Sequence, residues 1–325
     1  MQFDCHALLE RLLPAALLVA TLLQPVHAAT SPKELLAAGH ADEAIQTLQQ
    51  QISHYPTDAE SYNLLCRAYF MIDEWDRGIP ACERARNLDP QKSLYYLWLG
   101  RIYGEKADRA GFLSAAGLAK KVRLSFERAV ELDPRNWEAR TDLAEFYLEA
   151  PSIVGGGQDK ARAQAGALLP LNPATAHWVL ARIAGKNKDD DEAEREYRTA
   201  IEASHGTAQA WLHLAQFLAH ANRLDETEQA LRTMESSPVD RPDSLMDGAS
   251  LLLRMGRDHA LAVRLLRRYL SSPAEEGPAF KAHDFLGQLL EKQGDRRAAA
   301  EQYRAALALF HAYPRAQEDL KRVEH

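Results

Sequence analysis

A short proline-ended phrase recurs along the chain. It reads HYP at Pro56, NLDP at Pro90, ELDP at Pro134 and PLNP at Pro173. The first two prolines stand 34 residues apart, and the next two intervals are 44 and 39. Self-similarity at such a period marks a stack of small units, each burying its apolar face only against its neighbours. The 325 residues therefore count repeats rather than two ordinary globular domains. Ala and Leu dominate and β-branched residues are sparse, which points to helices rather than sheets. With 46% hydrophobic and 26% charged residues the chain is neither disordered nor low in complexity. A formal charge of −7 argues against a protein held to nucleic acid by phosphate contacts.

The same small and aromatic residues recur upstream of each proline. In 59–92 they are Tyr62, Leu65, Cys66, Tyr69, Gly78, Cys82, Ala85 and Pro90; in 93–136 they are Tyr96, Leu99, Gly100, Tyr103, Val122, Phe126, Ala129 and Pro134. Leu143, Ala144, Tyr147, Ala161, Ala165 and Pro173 continue the series. So do Leu180, Ala181, Ala193, Tyr197 and Ala200, then Trp211, Leu214, Ala215 and Leu231, and finally Leu286, Gly287, Ala299, Tyr303 and Ala306. Ala44, Leu48 and Pro56 form the second half of a first unit; 240–273 is a weaker unit, and 314–325 reads as a closing helix.

This pattern resembles the tetratricopeptide (TPR) repeat. The resemblance implies an all-α, right-handed α-α superhelix of about eight helix-turn-helix repeats with a C-terminal capping helix. Small residues let paired helices approach, and proline ends the second helix of a unit because it cannot continue it. Turn residues such as Gly39, Asp189-Asp190-Asp191 and Gly294-Asp295 should start helices, with acids at the positive end of the dipole.

Three segments break the period. Insertions near 104–113 and 148–157 lengthen two units, and 236–244 (SSPVDRPDS) is a candidate bend. The expected division is a signal peptide at 1–28, an N-terminal block at 29–239 and a C-terminal block at 240–325. Gly155-Gly156-Gly157 precedes a helix and could hold an anion on free N–H groups. The favoured reading is a loop that needs positive φ.

Residues Leu12–Leu23 form an apolar run, followed by Val26 and Ala28 at the −3 and −1 positions of a cut after Ala28. Twelve helical residues reach about 18 Å, too short for a ~30 Å hydrocarbon core. The expectation is a secreted or periplasmic protein, of bacterial cell-envelope type, without an integral membrane segment in the mature chain. Cys66 and Cys82 would then lie in an oxidising space, either bridged or packed as buried thiols.

No HExxH, GxSxG, dinucleotide fingerprint or CxxC is present, so neither catalysis, a cofactor nor a metal is expected. His213 and His220 share a helix face but lack evident third and fourth ligands. The TPR resemblance implies a concave groove lined by the first helices, gripping another protein or peptide. Its positions carry Asn63, Arg67, Trp98, Arg101, Asp142, Glu145, Arg182, His213 and Gln216, with Gln288 further on. Arg67, Arg101 and Arg182 would form a basic stripe suited to an acidic peptide, unless they pair with Asp142 and Glu145. The match to the family's chaperone-tail clamp is poor. The main expectation is a non-catalytic adaptor; a subunit of an envelope assembly or secretion machine, and a small-molecule-binding sensor or enzyme, are the alternatives.

Overall fold

The helices of this protein come in pairs. A computed structural model describes residues 30–272 and 277–325, without the side chains of residues 112 and 113. The expected signal peptide and its cut lie outside the described residues. Ser31–His325 falls within one compact unit. Among the described residues the pairs are α1 (Pro32–Ala37) with α2 (Ala41–His54), α3 (Ala59–Met71) with α4 (Trp75–Leu88), α5 (Ser93–Asp108) with α6 (Phe112–Leu132), and α7 (Trp137–Glu149) with α8 (Gln158–Leu168). They continue with α9 (Pro173–Lys186) and α10 (Asp190–Ala203), α11 (Ala208–His220) and α12 (Leu224–Ser236), α13 (Asp243–Met255) and α14 (His259–Ser271), and α15 (Ala279–Lys292) and α16 (Arg296–Leu309). α17 (Pro314–Glu324) caps the stack. These are the expected eight repeats and closing helix.

Close approach within pairs depends on residues without bulk. A Cβ on Gly100 would collide with the Phe126 ring, and one on Gly287 with the Tyr303 ring. Ala44, Ala144, Ala161, Ala181, Ala193, Ala215 and Ala299 are fully buried at the matching positions. Helix starts use the expected chemistry: Asp189 accepts from Glu192 N at 3.0 Å, and Asp295 from Ala298 N at 2.9 Å. The proline expectation needs one correction. Pro56, Pro90 and Pro134 follow helix ends, but Pro173 opens α9 behind the Asn172 cap. The first helical position has no intrahelical N–H bond to lose, so proline is tolerated there.

Both insertions become structure. The first lengthens α5 to 16 residues and α6 to 21. The second forms a 3-10 turn, Ser152–Val154, that packs against α6. Its glycines serve the loop: Gly155 has φ +102°, and a Cβ on Gly156 would run into the Ala150 carbonyl. The three amides donate to Ser152 O, Pro151 O and Tyr147 O, so none is left to hold an anion. In the third irregular segment, Ala208 N donates to Pro238 O at 2.9 Å, and Arg268 donates to Ser237 O at 2.7 Å.

The first two repeats meet the last one. His311 donates from its backbone N and from its ring Nδ1 to Asp42, each at 2.7 Å. Lys281 donates to Asp73 at 2.9 Å, and Gly39 lies against Gly277 and Ala279. The superhelix thus closes on itself, with its first helices facing an interior cavity.

Candidate groove

A cavity of about 2380 Å³ runs along the concave face, bounded by α5, α7, α9, α11 and α13, with α6 and the Ser152–Val154 turn on one side. It arises because the first helix of each pair turns inward while its apolar flank packs on neighbouring repeats. Trp98, Trp178 and Phe217 supply aromatic surface, and Gly185 leaves open space.

Seven of the nine expected groove residues line this cavity: Trp98, Arg101, Asp142, Glu145, Arg182, His213 and Gln216. Asn63 does not. It is 2% exposed on α3, with its Nδ2 buried and without a hydrogen bond. Arg67 places its guanidinium 4.9 Å from the centre of the Trp98 ring. Arg101 approaches the same ring at 4.9 Å, so the indole carries two cations.

The basic stripe is not free charge. Arg101 donates to Asp142 at 2.7 Å and to Glu138 at 2.8 Å. Arg182 donates to Glu145 at 3.1 Å and Glu149 at 2.6 Å, and Lys186 reaches Glu149 at 2.5 Å. Each cation is answered by acids one repeat earlier or later. The physical reason is burial: a guanidinium taken from water on a concave wall must be compensated by nearby carboxylates. Burial works to raise Glu149, but Lys186 and Arg182 outweigh it and hold it below the usual carboxylate range. The alternative of pairing with Asp142 and Glu145 therefore describes Arg101 and Arg182.

His213 stacks on Trp178 with centroids 4.9 Å apart and accepts from Gln209 Nε2 at 2.6 Å. Burial, with Arg182 and Arg241 nearby, pushes its pKa down to about 3, so the ring is neutral at ordinary pH. His220 donates to its own helix at Gln216 O, 2.7 Å away. Among the described residues no group of His, Cys, Asp and Glu is arranged to hold a metal. Gln288 lies elsewhere, in a small recess with Glu291 and Arg315.

Cys66 and Cys82 join α3 to α4 through a disulfide, with Cα atoms 5.1 Å apart, inside the usual range. Sequence reading missed Asp243 and Asp247 on α13. Asp247 opens into the cavity. Burial pushes its carboxyl up to about 6; Asp243 adds to the rise and Arg254 opposes it. The i, i+4 spacing was visible, but it sat beside the irregular 236–244 segment, where no repeat signature assigned a face.

Two tetratricopeptide repeat family models match the chain, over residues 35–102 and 179–240. The structure resembles yeast Tom70 at 16% identity and a TM-score of 0.52, covering 87% of this chain and 58% of that one. A thermophilic TPR protein of Thermus thermophilus aligns at 18% identity and a TM-score of 0.48, over 58% of this chain and 100% of that one. No curated protein matches the sequence.

Proposed function

Because this chain belongs to the tetratricopeptide repeat family, whose repeats build protein-interaction scaffolds, we propose that it is a non-catalytic adaptor of the cell envelope that takes a partner's segment along its concave face. The observation that carries this reading is the cavity of about 2380 Å³, walled by the first helices of five successive repeats and bearing Trp98, Trp178 and Phe217. Aromatic side chains on a rigid wall anchor a partner at little entropic cost. The paired arginines fix the wall's shape, with Arg101 against the Trp98 ring and Arg182 against the Trp178 ring. The envelope reading is supported by the apolar run Leu12–Leu23 before Ala28, and by the cystine that an oxidising compartment permits.

Gly185→Trp tests the groove. Gly185 lines the cavity, and a Cβ there meets nothing within 4 Å, so the indole fills the groove without disturbing the wall. Proteins retained by the immobilised wild type are lost by this variant at unchanged circular dichroism and melting temperature. Equal retention by both overturns the groove assignment. Fractionation of cells carrying the full chain with a C-terminal tag should recover a product starting at Ala29 outside the cytoplasm. An uncleaved cytoplasmic product overturns the envelope reading.

A further inference from the structure

Two departures from the repeat meet at one wall of the groove. The first lengthens α5 and α6, and Ala116, Ala119 and Lys120 of the longer α6 line the cavity. Among the described residues no other helix is as long as these two. The second is the Ser152–Val154 turn, which packs against α6 and lines the cavity as well. The turn is held from three sides. Gly157 N donates to Tyr147 O at 2.7 Å, and Lys160 Nζ donates to Gly155 O at 2.8 Å. The Arg123 side chain of α6 lies against Gly155 and donates to Glu127 at 2.9 Å. The Tyr147 hydroxyl reaches the same carboxylate at 2.9 Å.

On this support Ile153 is 91% exposed, more than any other large hydrophobic residue among those described. Isolated apolar residues are common on protein surfaces, so exposure alone says little. Here a turn braced by α6 and α7 holds an isoleucine at the cavity, with Val154 beside it. Covering such a side chain releases free energy, and the braced backbone leaves little conformational entropy to lose. The charges of this wall are unevenly met. Arg123 pairs with Glu127, and Arg101, Arg182 and Lys186 pair with acids elsewhere in the groove. Glu105, at the end of α5, has Arg109 and Lys281 acting on it. Lys120 is exposed, lines the cavity and forms no ion pair or hydrogen bond with any described residue.

We infer that the two insertions form a recognition wall for the bound segment, on which Ile153 and Val154 take an aliphatic or aromatic side chain and Lys120 takes a carboxylate beside it. The inference rests on the groove reading above and gives that partner its chemistry: an apolar residue next to an acid. The acid goes to Lys120 and not to Arg101 or Arg182, whose charges the groove itself already meets. An ammonium on a flexible stem is a point charge with three donors, so it accepts a carboxylate without demanding one fixed approach.

The probe is a displayed library of random twelve-residue peptides, selected on the immobilised wild type. Selected peptides should share an apolar position with Asp or Glu within two residues of it. Fluorescence anisotropy with labelled copies should show Ile153→Ser weakening them about tenfold, the scale of uncovering two methylene-sized groups. Lys120→Gln should weaken them about threefold, the scale of an exposed ion pair, and leave copies with Gln in place of the acid unchanged. Both side chains are exposed, so the melting temperature stays that of the wild type. Leu124→Ser removes an exposed leucine from α6 outside the cavity and keeps full affinity. Selected peptides without a shared apolar position, unchanged affinity in Ile153→Ser, or an equal loss in Leu124→Ser overturns the inference. Gly185→Trp separates the two readings. Peptides lost on Gly185→Trp but indifferent to Ile153→Ser and Lys120→Gln leave the groove standing and sink the wall; a selection that yields no peptide sensitive to Gly185→Trp overturns both.

Discussion

The Tyr147 hydroxyl donates to the Glu127 carboxylate at 2.9 Å, joining the first helix of one repeat to the second helix of the repeat before it, twenty residues earlier. The same step recurs. Tyr103 donates to Glu83, and Gln49 donates to the Tyr69 hydroxyl at 3.0 Å, each across twenty residues. These bonds stitch successive hairpins at their margins, while the leucines and alanines between them supply the burial. Tyr147→Phe should cost about 1 kcal/mol, the usual net worth of one such bond. A double-mutant cycle with Glu127→Gln, read by urea denaturation, should give a coupling of similar size; zero coupling would show that the contact contributes nothing.

Reducing the Cys66–Cys82 bridge frees a loop of 16 residues within one hairpin. Loop-closure entropy assigns about 3 kcal/mol to a loop of this size. The oxidised protein should therefore melt several degrees above the reduced one, and Cys82→Ser should match the reduced form with or without reductant. Two free thiols in the denatured, unreduced protein would show that the bridge does not form.

Asp284 on α15 is 0% exposed, accepts from Gln288 at 2.9 Å, and has Oδ1 without a partner. Burial pushes its carboxyl up to about 7; Asp319 adds to the rise, while Arg315 and Gln288 oppose it. In the unfolded chain an aspartate titrates near ~3.9. Between these values the native state holds a proton that the unfolded state has released, so this group's contribution to stability declines as pH rises from about 4 through about 7. Asp284→Asn removes that decline. Its melting temperature should exceed the wild type's at pH 8 and approach it toward pH 4. A gap that does not change with pH would refute this assignment.

The seam between the first two repeats and the last is polar. Asp42 and His311 are 34% and 82% exposed, and Asp73 and Lys281 are 42% and 25% exposed. Such pairs are worth up to about 1 kcal/mol each and weaken with salt. Asp42→Asn with Asp73→Asn should enlarge the radius of gyration in small-angle scattering while changing the melting temperature little. The wild type should expand toward the same value at high salt. An unchanged radius in both would mean that packing at Gly39 and Ala279 alone holds the seam.

Much of the fold was legible in the sequence because a repeat writes the same constraint many times. Gly100 and Gly287 appear where an aromatic ring must be admitted, and Asp189 and Asp295 appear where a helix must start. Pro173 was misread because proline suits both the residue after a helix and the first residue of the next. The groove residues were legible as positions: seven of nine line the cavity, and four of these, Arg101, Glu145, Arg182 and Gln216, directly follow the small residue of a first helix. Their charge state was not. Whether Arg101 stands free or binds Asp142, 41 residues away, depends on how far one repeat rotates against the next.

The sequence by itself determined the repeat count, the helix pairing and the inward-facing rows, since these follow from local period and residue size. The tertiary structure decided which charges cancel, that Asp243 and Asp247 stand without cations bound to them, and that Asp42 meets His311 across 269 residues. These outcomes depend on the accumulated twist of eight stacked hairpins. Small rotations at each interface add along the stack, and no single repeat encodes their sum.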